Sequence, residues 1–161
     1  MHEQFKNEFP KFYQQLQEGR GELIEEVLPG ASEADLEKLE QSLGLPFPES
    51  YKRLLRCSRG FWLFGGVVQL SSGHPFFHQF SKVTGKTRGG TWPPASDGML
   101  CFAEFFMEAD GDQVLFDVSN GLINGEYPVM YYAHDEPNEL RKLADSFEQW
   151  LNEFLDYPEW N

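Results

Sequence analysis

The segment 29–60 constrains the fold more than any other part of the chain, because it carries the start and stop signals of two short amphipathic helices. Ser32 is a favourable N-cap residue, and Asp35 stands where a short-armed capping box would use it. Leucines then recur at helical spacing up to Gly44, which can adopt the left-handed conformation that ends a helix. Pro48 suits the first turn of a second helix. The segment therefore predicts a helical hairpin.

After this hairpin, the apolar residues change from helical spacing to the alternation that is typical of strands. Aromatic and β-branched runs divided by glycine predict an antiparallel sheet over residues 61–134. The pair Asp110 and Gly111 predicts a tight hairpin turn between two strands, and another turn is expected at 119–121. Residues 71–98 are rich in Gly, Pro and Ser, so we expect a long loop there.

Both ends of the chain are predicted to be helical. Aromatic residues near helical spacing predict helix in the N-terminal segment 1–28, starting about Pro10, with a second short helix over 23–28. Ser146 predicts the N-cap of a closing helix within 143–156. Helices first, a meander next and a helix last favour an α+β fold, in which a bent antiparallel sheet is flanked by N-terminal helices and one C-terminal helix.

Length and cysteine content indicate one domain in a reducing compartment. Residues 1–161 suffice to bury a core without disulfides or metals, so we expect a single domain. Cys57 and Cys101 fall in apolar patterns and are expected to be buried small hydrophobic residues, not a disulfide. The first residues do not have the basic and then apolar pattern of a signal peptide, and no apolar run is long enough to cross a membrane. We therefore expect a cytoplasmic protein.

The chain is strongly acidic, with a formal net charge of −13. Such a charge repels phosphate backbones and anionic lipids, so neither a nucleic-acid nor a membrane partner is expected. It attracts basic proteins and would speed association with them by electrostatic steering. Acidic chains are common among soluble proteins, so the charge alone identifies no partner.

Several polar clusters resemble functional sites, and each has a simpler explanation. His74 and His78 have the spacing of zinc ligands only on a helix, which the intervening proline makes unfavourable. His134 precedes two acidic residues, a pattern more typical of a solvated turn than of an acid–base pair. The segment 84–90 resembles a phosphate-binding loop, but Phe80 stands where the first glycine of that motif belongs. We therefore predict no metal and no cofactor.

Carboxylates cluster around the predicted hairpin turn. The ligand spacing of a calcium loop is absent, and strand alternation sends some of these side chains to opposite faces, which disfavours a catalytic pair. No serine or cysteine has the sequence context of a nucleophile, so no enzymatic activity is predicted. An exposed acidic tip is better suited to the recognition of a basic protein. The clustered residues are Glu104, Glu108, Asp110, Asp112 and Asp117.

Four stretches of the chain resemble the SUKH superfamily. The sequence SLGLPFP at 42–48, followed by ESYKRLLRCSRG at 49–60, is similar to the opening of that family. The stretches GDQVLFDVSNG, PVMYYAHDE and LADSFEQWLNEFL resemble its later strands and closing helix. The resemblance covers residues 27–155 and concerns packing and turn motifs.

This resemblance implies a non-catalytic protein-binding domain. Members include bacterial immunity proteins that neutralise toxins, and the fungal Smi and Knr cell-wall regulators. The first group implies binding of a basic toxin domain such as a nuclease, and the second implies a scaffold for an endogenous cell-wall or signalling protein. We expect the partner to contact two apolar anchors and four acidic positions, which are Trp62, Trp92, Glu104, Glu108, Asp110 and Asp112.

Overall fold

The computed structural model describes residues 3–18, 24–25, 27–63, 68–70, 82–83, 98–104, 112–133, 135–136 and 139–156. Its helices are α1 Glu3–Glu8, α2 Pro10–Gln17, α3 Glu33–Leu43, α4 Glu49–Cys57 and α5 Phe147–Leu155. Its strands are β1 Ile24–Glu25, β2 Trp62–Leu63, β3 Val68–Leu70, β4 Lys82–Val83, β5 Met99–Glu104, β6 Gln113–Asp117, β7 Val129–Tyr132 and β8 Leu140–Ala144.

The described strands pair antiparallel in one sheet, with the order β1-β2-β3-β5-β6-β7-β8 and with β4 also paired to β5. Strands β5 to β8 form a meander in which each strand lies beside its neighbour in the chain. The register shifts between Cys101 and Ala103, and again between Val129 and Met130, and such irregularities bend a sheet. The predicted α+β fold, a bent antiparallel sheet with helices before and after it, is confirmed.

Capping contacts define the start of α3 and α5 as the sequence predicts. The Ser32 hydroxyl accepts a hydrogen bond from the Asp35 N–H at 3.1 Å, and the Asp35 carboxylate accepts one from the Ser32 N–H at 3.1 Å. Gly44, with φ of 67°, ends α3 in the left-handed conformation. The Ser146 hydroxyl accepts from the Gln149 N–H at 3.1 Å. Each N-cap of this kind stabilises its helix by about 1 kcal/mol.

The predicted second helix over 23–28 is wrong, because Ile24–Glu25 is strand β1 and pairs with Trp62–Leu63. The Leu28 N–H also donates to the Gly60 carbonyl at 2.9 Å. The chain before α3 therefore runs beside the chain after α4. These long-range hydrogen bonds occupy the backbone groups that a helix would pair within itself.

The closing helix starts after Ser146, as predicted, but the first two residues of the predicted segment 143–156 belong to strand β8 Leu140–Ala144. This strand pairs with β7, with Tyr131 opposite Arg141 and Tyr132 opposite Leu140. Only after Ser146 does the chain become helical. The apolar residues at the start of the predicted segment therefore extend the sheet instead of the helix.

Aromatic side chains fill the layer between the helices and the sheet. Phe102 and Phe116 stack with ring centroids 4.1 Å apart, and Tyr51 of α4 contacts Phe147 of α5 edge-on at 5.0 Å. Burial of each such side chain contributes about 1.5–3 kcal/mol. Alternation along the strands buries a second, smaller apolar cluster formed by Met99, Cys101, Leu115 and Tyr132.

Candidate protein-interaction surface

The connection between β6 and β7 contains a tight two-residue turn. The Ile123 N–H donates to the Glu126 carbonyl at 2.8 Å, and the Glu126 N–H donates to the Ile123 carbonyl at 3.1 Å. Between them, Asn124 and Gly125 have φ of 53° and 79°, as a type I′ turn requires. Asn-Gly is the preferred dipeptide for this turn, because both residues adopt positive φ readily. The turn therefore follows directly from the local sequence.

Contacts with the start of α4 hold the turn in place. The Glu49 N–H donates to the Gly125 carbonyl at 2.9 Å. The Glu126 carboxylate accepts from the Ser50 N–H at 2.9 Å and from the Ser50 hydroxyl at 2.7 Å. The Ser50 hydroxyl also accepts from the Glu148 N–H in the first turn of α5, at 3.2 Å. The turn is thus bonded to α4, and through Ser50 to α5.

Tyr127 adds a further attachment on the buried side of the turn. Its ring is fully buried, and its hydroxyl donates to the Pro46 carbonyl at 2.8 Å. Burial, together with the Glu40 carboxylate, raises the pKa of Tyr127. The hydroxyl therefore stays protonated at neutral pH and remains a hydrogen-bond donor.

Two aliphatic side chains of this turn point into solvent. Leu122 is 37% exposed and Ile123 is 54% exposed, and among the described residues these are the large apolar side chains that are exposed. They are adjacent in the chain and lie on a turn that four hydrogen bonds to α4 and to Pro46 hold in place. Exposed apolar residues on a rigid support are typical of protein-interaction sites.

Beside Ile123 lies a cleft of about 470 Å³. The turn forms one wall, and the end of β8 with the start of α5 forms the other. Its lining is Ile123, Asn124, Glu126, Pro128, Lys142, Asp145 and Ser146. We call the exposed pair Leu122 and Ile123, this lining and the adjacent Glu49 the turn surface.

Exposed ion pairs lie on the turn surface. Lys142 contacts Asp145 at 2.5 Å, and the Asp145 side chain is 76% exposed. Lys52 contacts Glu49 at 3.2 Å, and the Glu49 side chain is 63% exposed. Exposed pairs of this kind contribute roughly 0–1 kcal/mol each, because water screens them. The carboxylates can therefore exchange partners at little cost in stability.

Of the predicted contact residues, Asp112 is not on the surface. Its side chain is 2% exposed, and the Tyr131 hydroxyl donates to its carboxylate at 2.5 Å. The expectation of an exposed acidic tip therefore does not hold for Asp112. Asp112 directly precedes β6, and alternation puts it on the same side as Val114 and Phe116, which belong to the main core together with Tyr131.

Two of the other predicted contact residues, Trp62 and Glu104, lie in one row across the sheet, because the backbone of each is paired with Gln69 of β3. Trp62 lies in β2, where its backbone is opposite Glu25 and Gln69. Glu104 ends β5, opposite Gln113 in β6. The predictions for Trp92, Glu108 and Asp110 lie outside the described residues. The turn surface was missed by the sequence analysis, although the Asn-Gly dipeptide at 124 and 125 marks its turn.

The described residues offer little to a metal or a nucleophilic mechanism. Within these ranges, no three His, Cys, Asp or Glu side chains group so as to hold a metal ion. Cys57 and Cys101 are free thiols, and burial with the Glu8 carboxylate raises the pKa of Cys57 to about 11. His74, His78 and His134 lie outside the described residues. Across the described chain, none of the helices is both long and apolar enough to span a bilayer.

Comparison with known proteins identifies the family of the chain. No curated protein matches the chain. The model of the SMI1 / KNR4 family (SUKH-1) matches residues 30–153, which is well over half of the chain and includes the turn surface, α3, α4 and nearly all of α5. The resemblance to the SUKH superfamily is confirmed, and the chain belongs to the SMI1 / KNR4 family (SUKH-1).

Proposed function

We propose that this chain is a non-catalytic immunity protein that binds a toxin in the bacterial cytoplasm and neutralises it. The observation that carries the proposal is the family match over residues 30–153, since membership of this family supports a protein-interaction domain. The net charge of −13 supports a cationic toxin, such as a nuclease, as the partner. Binding would cover the active site of the toxin or a surface next to it.

The position of the contact surface is a separate part of the proposal. Trp62 and Glu104, in β2 and β5, remain candidate contacts, as do Trp92, Glu108 and Asp110. Asp112 is no longer a candidate, because its carboxylate is buried against Tyr131. The turn surface is an alternative contact site on the part of the chain that the family model covers.

A second candidate function is a regulatory scaffold that binds an endogenous cell-wall or signalling protein. The name of the matching family, SMI1 / KNR4, favours it, since the Smi and Knr regulators belong to this branch. Gene neighbourhood separates the two functions: a toxin gene beside this one supports immunity, and an isolated gene supports the scaffold.

Co-expression tests the immunity function directly. The toxin domain encoded beside this gene is expressed in a sensitive bacterium with and without the full chain, and survival is counted. We expect the chain to restore growth and to co-purify with the toxin domain. If growth is not restored and affinity capture from the native cell recovers no toxin domain, the immunity proposal is wrong.

A further inference from the structure

We infer that the turn surface is the docking site of a basic protein partner, which inserts an apolar side chain into the cleft beside Ile123 and places cationic side chains against Glu49 and Asp145. This inference rests on the proposed protein-binding function and adds the surface and the chemistry of the partner.

The first support for this inference is the apolar part of the turn surface. Single exposed aliphatic residues are common on soluble proteins and need no explanation. Here two are adjacent, and one of them, Ile123, is 54% exposed and lines a cleft of about 470 Å³. A convex aliphatic side chain next to a cavity can pack against an inserted side chain on one side and a partner's surface on the other. A few well-packed contacts in desolvated pockets near the centre of an interface carry most of its binding energy.

The second support is that the backbone of the turn is held rigidly. The Gly125 carbonyl and the Glu126 carboxylate are both bonded to the start of α4, at 2.7–2.9 Å. Ile123, between β6 and these anchors, therefore has its backbone fixed before any partner arrives. Binding to a preorganised surface loses less conformational entropy than binding to a mobile loop.

Charge complementarity identifies the class of partner. Four carboxylates, Glu40, Glu49, Glu126 and Asp145, lie on or next to the turn surface, while Lys52 and Lys142 are the ammonium groups that pair with them. Four negative and two positive charges leave a local excess of negative charge, of the same sign as the whole chain. The side chains of Asp145 and Glu49 are 76% and 63% exposed, against 23% for Glu40. Arginine or lysine of a partner can reach both.

An extended peptide added to the edge of the sheet is the main competing occupant. Within the described part of the sheet, β8 is the last strand in the order. It carries exposed Arg141 and Lys142 and a register shift opposite Val129 and Met130. Exposed cations and bulges are features that discourage strand addition. The observations therefore favour docking at the turn surface over pairing along β8.

Short peptides test the chemistry without knowledge of the partner. The full chain, labelled with ¹⁵N, is titrated with the peptides Arg-Arg-Leu-Arg-Arg, Arg-Arg-Ala-Arg-Arg and Glu-Glu-Leu-Glu-Glu at up to millimolar concentration. We expect the first peptide to shift the amide resonances of residues 121–126 and 142–146. We expect the alanine peptide to bind at least about tenfold more weakly and the acidic peptide not to bind. No shifts, or shifts centred elsewhere, such as on β8 alone, would overturn the inference.

Matched variants test the residues. Ile123→Ser is expected to weaken binding of the leucine peptide at least about tenfold, and Ile123→Val is expected to retain it. The double variant Glu49→Gln/Asp145→Asn should weaken binding more than Glu3→Gln/Glu136→Gln, which also removes two exposed charges but away from the turn surface. Equal effects of these charge variants would mean diffuse attraction to an acidic protein and would overturn the inference. Thermal unfolding verifies that each variant is folded.

The same variants separate this inference from the immunity function. If the wild-type chain protects against the toxin and Ile123→Ser does not, both are supported. If both chains protect equally, the docking site is wrong and the immunity function stands. If neither protects, the immunity function fails, and the peptide titration decides the docking site alone.

Discussion

The segments before and after β6 differ in which side chains they bury. The segment before it buries an acidic side chain, and the segment after it exposes two aliphatic ones. Before the strand, the acidic residue Asp112 is 2% exposed and bonded to Tyr131. After it, in the connection to β7, the aliphatic residues Leu122 and Ile123 project into solvent. The comparison teaches that charge counted along a sequence does not locate an interaction surface. Strand alternation and turn geometry decide which side chains a partner can reach.

The buried end should be the more sensitive to substitution. Asp112→Ala removes a buried carboxylate and leaves the Tyr131 hydroxyl without this acceptor, so we expect the free energy of unfolding to fall by about 2–3 kcal/mol. Urea denaturation measures this loss. A change below about 0.5 kcal/mol, the usual size for surface substitutions, would show that Asp112 is solvated and that the contrast between the two ends is absent.

Tyr132 provides an independent readout at the same end. Burial, with the Asp112 carboxylate as a second cause, raises the pKa of Tyr132. Because the folded state raises this pKa, it holds the tyrosine proton more tightly than the unfolded state does. The resulting stabilisation is fully present below the unfolded pKa of about 10 and is lost as the pH rises through the folded pKa. Asp112→Ala should therefore shift the Tyr132 titration, measured by NMR of the Tyr132 ring, towards lower pH. Tyr131→Phe, which keeps the carboxylate, is the control.

At the exposed end, the support of the turn should come next in magnitude. Ser50→Ala removes the hydroxyl that donates to Glu126 and accepts from the Glu148 N–H, and we expect a loss of about 1–2 kcal/mol. A double-mutant cycle with Glu126→Gln isolates the coupling between the two residues. Additive effects would show that the hydroxyl of Ser50 does not help to hold the turn to α4.

Backbone conformation in the turn should have a smaller effect. Gly125→Ala places a side chain at φ of 79°, with its Cβ 3.4 Å from Glu49 Cγ, so we expect a loss of about 1 kcal/mol or somewhat more. Gly121→Ala is the matched control, because its φ is 70° and no atom lies within 4 Å of its added Cβ. The two losses are compared by urea denaturation. A larger loss at Gly121 would contradict the close packing of the turn on Glu49.

The exposed side chains themselves should matter least to stability. Ile123→Ser and Leu122→Ser are expected to change the free energy of unfolding by no more than about 0.5 kcal/mol, because neither side chain belongs to the core. Differential scanning calorimetry checks this. A loss above about 1 kcal/mol would mean that these side chains pack within the chain and are not available to a partner.

Local sequence signals predict the helices α3, α4 and α5 well. Ser32, Asp35 and Gly44 specify α3 through contacts within the helix and its caps, and Ser146 specifies the start of α5 in the same way. Strands β1 and β8 were missed because they form only against partners elsewhere in the chain. Ile24 forms a strand by pairing with Leu63, and no residue near Ile24 in the sequence indicates that pairing.

The candidate site was predictable in part. The alternation of Asp112, Val114 and Phe116 already indicates that the acid shares a face with core residues, and the charge pattern obscured this signal. The Asn-Gly dipeptide at 124 and 125 marks a tight turn. The exposure of Ile123, in contrast, depends on how α4 and α5 support the turn, which sequence spacing does not reveal.

The hydroxyl of Ser50 has a consequence for how the protein folds. It joins Glu126, which is 76 residues away in the chain, to the first turn of α5, which is 98 residues away. Contacts between such distant segments form only after long loops close, and they are characteristic of slow, late steps in folding. Truncated chains and nascent polypeptides that lack α5 would therefore lack the contact between the Ser50 hydroxyl and that helix, and the turn surface would be incomplete. A partner that recognises it would select mature, fully assembled molecules over partly folded ones.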